Sequence, residues 1–277
     1  MVGRSLAAAL AARGARVAAV ASRRPESARA AAALAPGALA TTDAAAAARL
    51  GSVVVLSVPD DAIAGLCGQI AGEGGFERGA VVVHLSGTLG SEALAAARAR
   101  GAHALAFHPI QTFAEADPRL FEGITCAVEG DAEAVAFGRE LAQLLGARAV
   151  EILPKDKALY HAALALACNY LVTLADAGCG LLEQTGLGEG ALAALLPLLR
   201  GTVANLARVG LPGALTGPIS RGDVATLRAH LDALRERAPD LLPLYCTAGL
   251  QTIALARRKG TLAEAQARAM RELLTPT

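Results

Sequence analysis

The amino-acid sequence predicts an α/β fold in which a doubly wound sheet domain precedes an all-helical domain. Up to about residue 153, short Val-rich runs that look like strands alternate with helical patterns. Such continuous apolar strands indicate a parallel sheet covered by helices on both faces. From Lys155 onwards the strand signal disappears, and long helical patterns broken by Gly and Pro remain. We therefore predict one domain over residues 1–153 and a second over residues 154–277.

The first predicted element is a helix, and no strand precedes it. Residues 5–12 favour a helix that ends at Arg13-Gly14, and "ARVAAVAS" then reads as a strand. In a doubly wound domain that binds a dinucleotide, a strand and two glycines of a GxGxxG turn come before this helix, and Gly3 matches only the third glycine. If that strand is counted as the first of a complete domain, the second and fourth strands would lack the neighbour that they share. We therefore expect the chain to begin late, inside its own cofactor-binding turn, through a misassigned start or a truncation.

The later elements follow from the same alternation. The remaining strand-like runs of the first domain are "GSVVVLSVPD", "GAVVVHLSG", "AHALAFHP", "GITCAVEGD" and "ARAVEIL", and its helical patterns are "PESARAAAALA", "DAIAGLCGQIA", "SEALAAARAR" and "AEAVAFGRELAQLLG". In the second domain the helical patterns cover about 156–185, 189–209, 222–237, 240–258 and 261–273.

Composition excludes several classes of function. A net charge of +1 gives no electrostatic basis for binding nucleic acid or an anionic membrane, and 3% aromatic residues without Trp argue against base stacking. The apolar stretch 158–175 is interrupted by polar side chains, so we expect a helix buried in a domain or a dimer rather than a membrane span. Five scattered Cys without a CxxC pair predict free thiols in a cytoplasmic protein. No metal-ligand spacing is visible, so we predict no metal.

Two stretches of the first domain predict a dinucleotide site. Ligands of doubly wound sheets bind at the carboxyl ends of the strands. After the first strand-like run, Ser22, Arg23 and Arg24 suit the 2′-phosphate of NADP, whereas NAD would favour an acidic residue there. A solvated basic turn explains these three residues equally well.

The second stretch is a strand that leads into Ser57, Val58 and Pro59 before a helix. A turn of this kind passes beside a nicotinamide ribose. With Gly3 and Arg4 at the start of the first helix, these residues complete the predicted cofactor site. We expect NADP in preference to NAD.

Several motifs together resemble one family. They are "VPDDAI", "HLSG" at 84–87, "FHPIQTF" at 107–113, "KALYHAALALACNYLVTL" at 157–174 and "TGPISRGD" at 216–223. The ensemble resembles the DUF2520 group of Rossmann-like proteins, which is similar to the superfamily of 6-phosphogluconate dehydrogenase, ketopantoate reductase and pyrroline-carboxylate reductase. The resemblance implies a Rossmann domain, a 6-phosphogluconate-dehydrogenase-like helical domain that dimerises, and reduction with NADP. It implies no particular substrate.

The candidate catalytic residues lie at the start of the helical domain. Lys157 and His161 are four residues apart and share a helix face, and Asn169 is expected on roughly the same face two turns further on. Related dehydrogenases place a Lys and an Asn about one turn apart on this helix, whereas here the one-turn partner of Lys157 is His161. Lys is rare in this chain, with three residues in all, which favours a functional role. The alternative is a solvated lysine and a structural histidine.

Other loops offer binding groups for a substrate. His108 at a strand end is a second acid/base candidate, and Ser86 with Gly87 follows the preceding strand. In the helical domain, Thr216, Gly217 and Arg221 precede a helix that Asp223 caps, and they suit a substrate carboxylate. A structural histidine and an ordinary helix cap explain the same residues.

We therefore predict a cytoplasmic, homodimeric, NADP-dependent oxidoreductase that reduces a small, anionic keto or imino acid by hydride transfer. The alternative is a regulatory or scaffold protein that binds a nucleotide without turnover.

Overall fold

Two sheets form the framework of the first part of the chain. The computed structural model describes residues 1–275, which divide into one unit over residues 1–164 and a second from Ala165 onwards. The strands are, in chain order, β1 (Ala19–Ala21), β2 (Leu39–Thr41), β3 (Val53–Leu56), β4 (Val81–His84), β5 (His103–Pro109), β6 (Thr125–Gly130) and β7 (Arg148–Glu151). The predicted domain boundary at 153/154 precedes the division between the two units and stays a prediction.

The helices of the first unit connect these strands. They are α1 (Val2–Ala12), α2 (Pro25–Ala32), α3 (Ala44–Ala48), α4 (Asp60–Gly72), α5 (Ala95–Arg98), α6 (Ala132–Leu144) and α7 (Lys157–Leu164). Short 3-10 turns cover Ser91–Leu94, Pro118–Phe121 and Pro154–Asp156.

The strands are arranged as a pair, β1-β2, and a five-stranded sheet in the order β3-β4-β5-β6-β7. Within residues 1–275, no strand pairs with both β1 and β3. These two strands are the ones that the sequence predicts to lack a shared neighbour. Neighbouring strands run parallel, with one exception. Strand β6 is antiparallel to β5, because residues 110–124 turn back at the end of β5 without a helical crossover.

The five-stranded sheet is packed on both faces, which explains its continuous apolar strands. Val83, Leu105 and Phe107 pack with α1 and α6 on one face. Val82 and Ala104, one residue out of phase, pack with α4 and α5 on the other. The predicted doubly wound α/β architecture is therefore confirmed.

Strand β2 and helix α3 are absent from the sequence prediction. Strand β2 is three residues long, and its sequence "LAT" lacks the β-branched run of the other strands. Helix α3 is a short run of alanines that begins after Asp43, whose carboxylate accepts a hydrogen bond from the Ala46 N–H at 2.8 Å.

The second unit is helical. Its elements are a π-helical turn (Ala165–Asn169), α8 (Tyr170–Leu182), a π-helical turn (Glu183–Leu187), a 3-10 turn (Gly188–Gly190), α9 (Ala191–Val209), α10 (Pro218–Arg221), α11 (Val224–Arg237), a 3-10 turn (Pro239–Leu241), α12 (Leu242–Lys259) and α13 (Glu264–Leu274). Its core lies between α10, α11, α12 and α13 around Leu227, Leu231, Ile253 and Met270.

Helices α8 and α9 contribute little to that core. Large apolar side chains on them are exposed within the single chain. The expectation that the stretch 158–175 is buried in a domain or a dimer stays a prediction. The helical run Pro154–Val209 is long and apolar enough to cross a membrane by length and composition, which is weak evidence by itself.

Candidate active site

The candidate site lies where three neighbouring strands end. Strands β3, β4 and β5 are parallel, so their carboxyl ends meet at one edge of the sheet. Residues 57–60 follow β3, residues 85–88 follow β4, and His108 is the penultimate residue of β5. Helix α7 in the same unit adds Lys157, Tyr160 and His161 to the groups that surround this edge.

Gly87 brings two predicted residues together. A Cβ on residue 87 would lie 2.8 Å from Cδ2 of His161 and 2.9 Å from both Cε1 and Nε2 of His108. Only a glycine fits between these rings, whose centroids are 6.4 Å apart. The buried backbone of Gly87 therefore packs against both imidazole rings.

Lys157 is a buried cation. It is 5% exposed, and no hydrogen bond or ion pair joins its ammonium to another residue within 1–275. Burial lowers its pKa, opposed by the nearby charges of Glu129, Glu92 and Asp60. A buried amine with an unused bonding capacity and a lowered pKa is suited to proton transfer or to binding an anion.

His108 is neutral at neutral pH. Burial lowers its pKa to about 4, and the nearby Lys157 and His161 act in the same direction. Its Nδ1 lies 2.6 Å from the hydroxyl of Tyr160. Burial raises the pKa of Tyr160, so this hydroxyl keeps its proton.

Hydrogen bonds hold the loop after β4 in one conformation. The backbone N–H of Ser86 donates to Nδ1 of His84 at 3.2 Å, so the His84 proton lies on Nε2, which donates to the Gly90 carbonyl at 2.9 Å. Burial lowers the pKa of His84, which favours this neutral form. His84 therefore orients the loop that carries Gly87.

Ser86 is held by Asp60 and is not a free donor. Its hydroxyl donates to Oδ2 of Asp60 at 2.7 Å and accepts the backbone N–H groups of Thr88 and Leu89. Although burial acts to raise the pKa of Asp60, hydrogen bonds from Thr88 and Ser86 lower it, so Asp60 is ionised. The Ser86 hydroxyl therefore stabilises the loop, and its role as a hydrogen-bond donor to a substrate stays a prediction.

The predicted cofactor residues lie at two places in the first unit. Gly3 in the first turn of α1 packs directly on Ser57, and a Cβ on residue 3 would lie 2.5 Å from the Ser57 Cβ. Arg4 follows in the same turn, and Val58 and Pro59 continue the loop to α4. Ser22, Arg23 and Arg24 line a cavity of about 510 Å³ between β1 and α2, and Arg24 is 3.8 Å from Glu26.

The remaining predicted residues belong to the second unit. Asn169 is the last residue of an exposed π-helical turn. The prediction that Asn169 shares a helix face with Lys157 assumes 3.6 residues per turn, and the wider π-helical turn interrupts that periodicity. Thr216, Gly217 and Arg221 line a cavity of about 370 Å³ with Leu215, Ser220, Lys259 and Thr261. Gly217 has φ of 95°, which favours glycine, and Asp223 caps α11 as predicted. Across residues 1–275 no cluster of His, Cys, Asp or Glu is suited to a metal ion.

Sequence comparison divides the chain in the same order. Residues 1–109 match a Rossmann-like domain, and residues 124–252 match DUF2520, a domain of unknown function. The two family models thus match successive parts of the chain, the Rossmann-like model first and the DUF2520 model second. The resemblance that the motifs predict is therefore confirmed, and the DUF2520 match begins within the sheet, at β6. None of the curated proteins is a detectable relative by sequence.

Solved structures share the fold of this chain. A protein from Bacteroides fragilis, provisionally named an NADP oxidoreductase, is 26% identical, with a TM-score of 0.68 over 97% of this chain and 93% of that one. A Thermotoga maritima protein is 24% identical, with a TM-score of 0.67 over 84% and 87%. A pyrroline-5-carboxylate reductase from Coxiella burnetii is 17% identical, with a TM-score of 0.58 over 99% and 95%.

The sequence analysis did not identify three residues of this site, Tyr160, Asp60 and Glu129. Tyr160 lies between Lys157 and His161 on α7, and its helical position gave no sign of its contact with His108. Asp60 looked like an ordinary first-turn acid of a helix. Glu129 lies in an apolar strand, and a buried carboxylate in such a strand is the one signal that sequence reasoning could have used.

Proposed function

We propose that this chain is an NADP-dependent oxidoreductase that reduces a small, anionic keto or imino acid by hydride transfer. Its support comes from one cluster, in which His108 and His161 meet over Gly87 while burial and then the nearby ammonium of Lys157 lower the pKa of His108. Hydride transfer to a carbonyl or imine requires a proton donor near the acceptor atom, and these three groups offer one.

The residues of the first unit fit a nicotinamide dinucleotide. The first turn of α1 has backbone N–H groups free of intrahelical partners, and Gly3 lets its start approach Ser57. The turn after β1 offers Ser22 and two exposed arginines, a set that matches a 2′-phosphate better than a ribose hydroxyl. When bound, the reduced nicotinamide would supply the hydride.

The relative from Bacteroides fragilis supports the same cofactor. It is provisionally named an NADP oxidoreductase, is 26% identical, and matches 97% of this chain. The other two solved structures support the fold only.

A cationic cavity in the second unit favours an anionic ligand. Arg221 and Lys259 line it together with the hydroxyls of Thr216, Ser220 and Thr261. Lys259 donates to the Leu215 carbonyl at 2.6 Å, which leaves further N–H groups of its ammonium for a carboxylate. We propose that this cavity binds a substrate carboxylate.

We also propose that the protein is a homodimer that works in the cytoplasm. Several large apolar side chains on α8 and α9, among them Val172 and Leu198, are exposed, and a group of exposed apolar side chains is typical of an interaction surface. A second copy of the chain would cover this surface on both subunits at once.

Titration with nicotinamide cofactors tests this function. We expect the protein to bind NADPH more tightly than NADH, and Arg23→Ala to abolish that preference. Arg29→Ala, at an exposed arginine of α2, is the matched control and should retain it. A screen of keto and imino acids for NADPH oxidation then tests turnover. Binding without turnover by any acid would favour a regulatory or scaffold role, and no binding of either cofactor would exclude the enzyme.

A further inference from the structure

Tyr160 and His108 form a pair that the proposed reaction leaves unexplained. The Tyr160 hydroxyl lies 2.6 Å from Nδ1 of His108, and the two rings meet edge-on at 88° with centroids 5.7 Å apart. Tyr160 is one residue before His161 on α7, so the same helix that carries Lys157 and His161 also contacts His108.

The direction of this hydrogen bond follows from the protonation of its partners. His108 is neutral and has one nitrogen lone pair, while Tyr160 keeps its hydroxyl proton. A phenol is a better donor than a neutral imidazole, and an imidazole nitrogen is a better acceptor than a phenol oxygen. Tyr160 therefore donates to Nδ1, which assigns the His108 proton to Nε2.

The opposite edge of His108 faces the loop after β4. A Cβ on Gly87 would lie 2.9 Å from both Cε1 and Nε2 of His108. Within the described chain, no residue forms a hydrogen bond with Nε2. The Nε2–H is consequently available to an acceptor atom brought to the Gly87 loop.

We propose that Tyr160 is a positioning residue that holds His108 as an Nε2–H donor for a carbonyl oxygen, so that the substrate is a keto acid rather than a protonated imino acid. The inference rests on the proposed oxidoreductase function and narrows its substrate class. A carbonyl oxygen has lone pairs that accept Nε2–H. A protonated imine has an N–H and no lone pair, so it would place donor against donor.

The reduced cofactor, His108 and Lys157 together account for the electrons and the proton of the proposed reduction. When bound, a reduced nicotinamide would supply a hydride to the carbonyl carbon and be oxidised, and the electron pair of the C=O π bond would move to the oxygen. His108 Nε2–H stabilises the negative charge on that oxygen without giving up its proton, as a neutral imidazole can. The ammonium of Lys157, whose lowered pKa makes it a stronger acid, protonates the oxygen and is reprotonated from water.

The tautomer of His108 can be measured without any substrate. The ionisable groups around His108 are Lys157, Tyr160 and His161 on α7, Asp60 on α4 and His84 on β4, and Cys126 on β6 lies near Tyr160. In protein labelled with 15N at histidine, we expect the imidazole of His108 to have its proton on Nε2 between about pH 6 and 8. In Tyr160→Phe we expect a mixture of tautomers. Tyr170→Phe, at an exposed tyrosine of α8, is the control and should leave the signal unchanged.

A proton on Nδ1 of His108 in the unmodified protein would overturn the proposal even if Tyr160→Phe failed to fold. An unchanged tautomer in folded Tyr160→Phe would do the same. Because these spectra need no cofactor, they are independent of whether the protein is an oxidoreductase.

Kinetics test the substrate class separately. We expect NADPH oxidation with keto acids, and a kcat lowered roughly 10-fold or more in Tyr160→Phe with KM little changed. Turnover of imino acids alone would refute the inference while leaving the oxidoreductase intact. No NADPH binding would refute the proposed function and the substrate class together.

Discussion

Gly3 packs on Ser57 so closely that residue 3 has no room for a side chain. A Cβ on residue 3 would lie 2.5 Å from the Ser57 Cβ, in a first turn where helix α1 meets the loop after β3. This close approach of helix and strand end is what the third glycine of a dinucleotide-binding turn provides.

Gly3→Ala should therefore destabilise the protein by roughly 1–3 kcal/mol, the usual cost of overpacking, and should weaken NADPH binding. Thermal unfolding and a fluorescence titration measure the two effects. Gly65→Ala is the matched control, because residue 65 lies in helix α4 with open space around its Cβ position. It should leave stability unchanged or raise it by up to ~1 kcal/mol. Equal behaviour of the two variants would contradict the close contact.

Replacing Lys157 should separate catalysis from folding. In Lys157→Met we expect turnover to fall by roughly 10²–10⁴-fold while NADPH still binds, since the ammonium is the proposed proton donor. Lys155→Met, at an exposed lysine two residues earlier, should keep its activity. Loss of folding in Lys157→Met would show instead that the buried lysine is structural.

The same variant has a defined pH dependence of stability. The folded-state pKa of Lys157 is lowered, so between that value and the ordinary 10.5 the unfolded chain binds more protons. Wild-type stability therefore rises with pH across that window. Lys157→Met has no buried ammonium and lacks this contribution. We therefore expect the unfolding free energy of the wild type to rise relative to that of Lys157→Met as the pH approaches 10.5. A constant difference across this range would contradict the lowered pKa.

The fold could be predicted where each strand is a continuous apolar run. Strands β3, β4 and β5 are Val- or Ala-rich and packed on both faces, so composition alone identified them. Strand β2 has three residues, of which only Thr41 is β-branched, so it could not be distinguished from a loop. The antiparallel direction of β6 depends on the path of residues 110–124, which no local pattern encodes.

The site could be predicted only in part. His108 follows from its strand end, and Lys157 with His161 from their spacing and the rarity of lysine. Tyr160 was missed because its importance depends on a contact with a residue 52 positions away. The bond between Ser86 and Asp60 was not foreseen for a similar reason, since it joins the loop after β4 to the start of α4, which are adjacent only after the sheet forms.

His108 should make the protein less stable in mild acid. Its pKa is lowered to about 4 in the folded protein and is near 6.5 in the unfolded chain. The unfolded chain therefore takes up the proton first, and stability falls as the pH drops from about 6.5 to 4. The loss from this residue is on the order of 3 kcal/mol. Denaturant unfolding at several pH values in this range should show that the unfolding free energy depends less steeply on pH in His108→Gln than in the wild type. The same dependence on pH in both proteins would indicate that His108 is not buried as described.

The apolar surface of α8 and α9 should control assembly. Val172 is 70% exposed and Leu198 is 68% exposed, whereas the apolar residues of α12 are partly used in the core of their own unit around Ile253. We therefore expect a dimer through α8 and α9 that buries more than ~2,000 Å², in the range of stable homodimers. In sedimentation velocity, Leu198→Glu should shift the protein towards a monomer because a charge buried in the interface is costly. Leu50→Glu, at an exposed leucine of the first unit, is the control and should remain dimeric. A monomer at every wild-type concentration, or a dimer that Leu198→Glu leaves intact, would remove this surface as the interface.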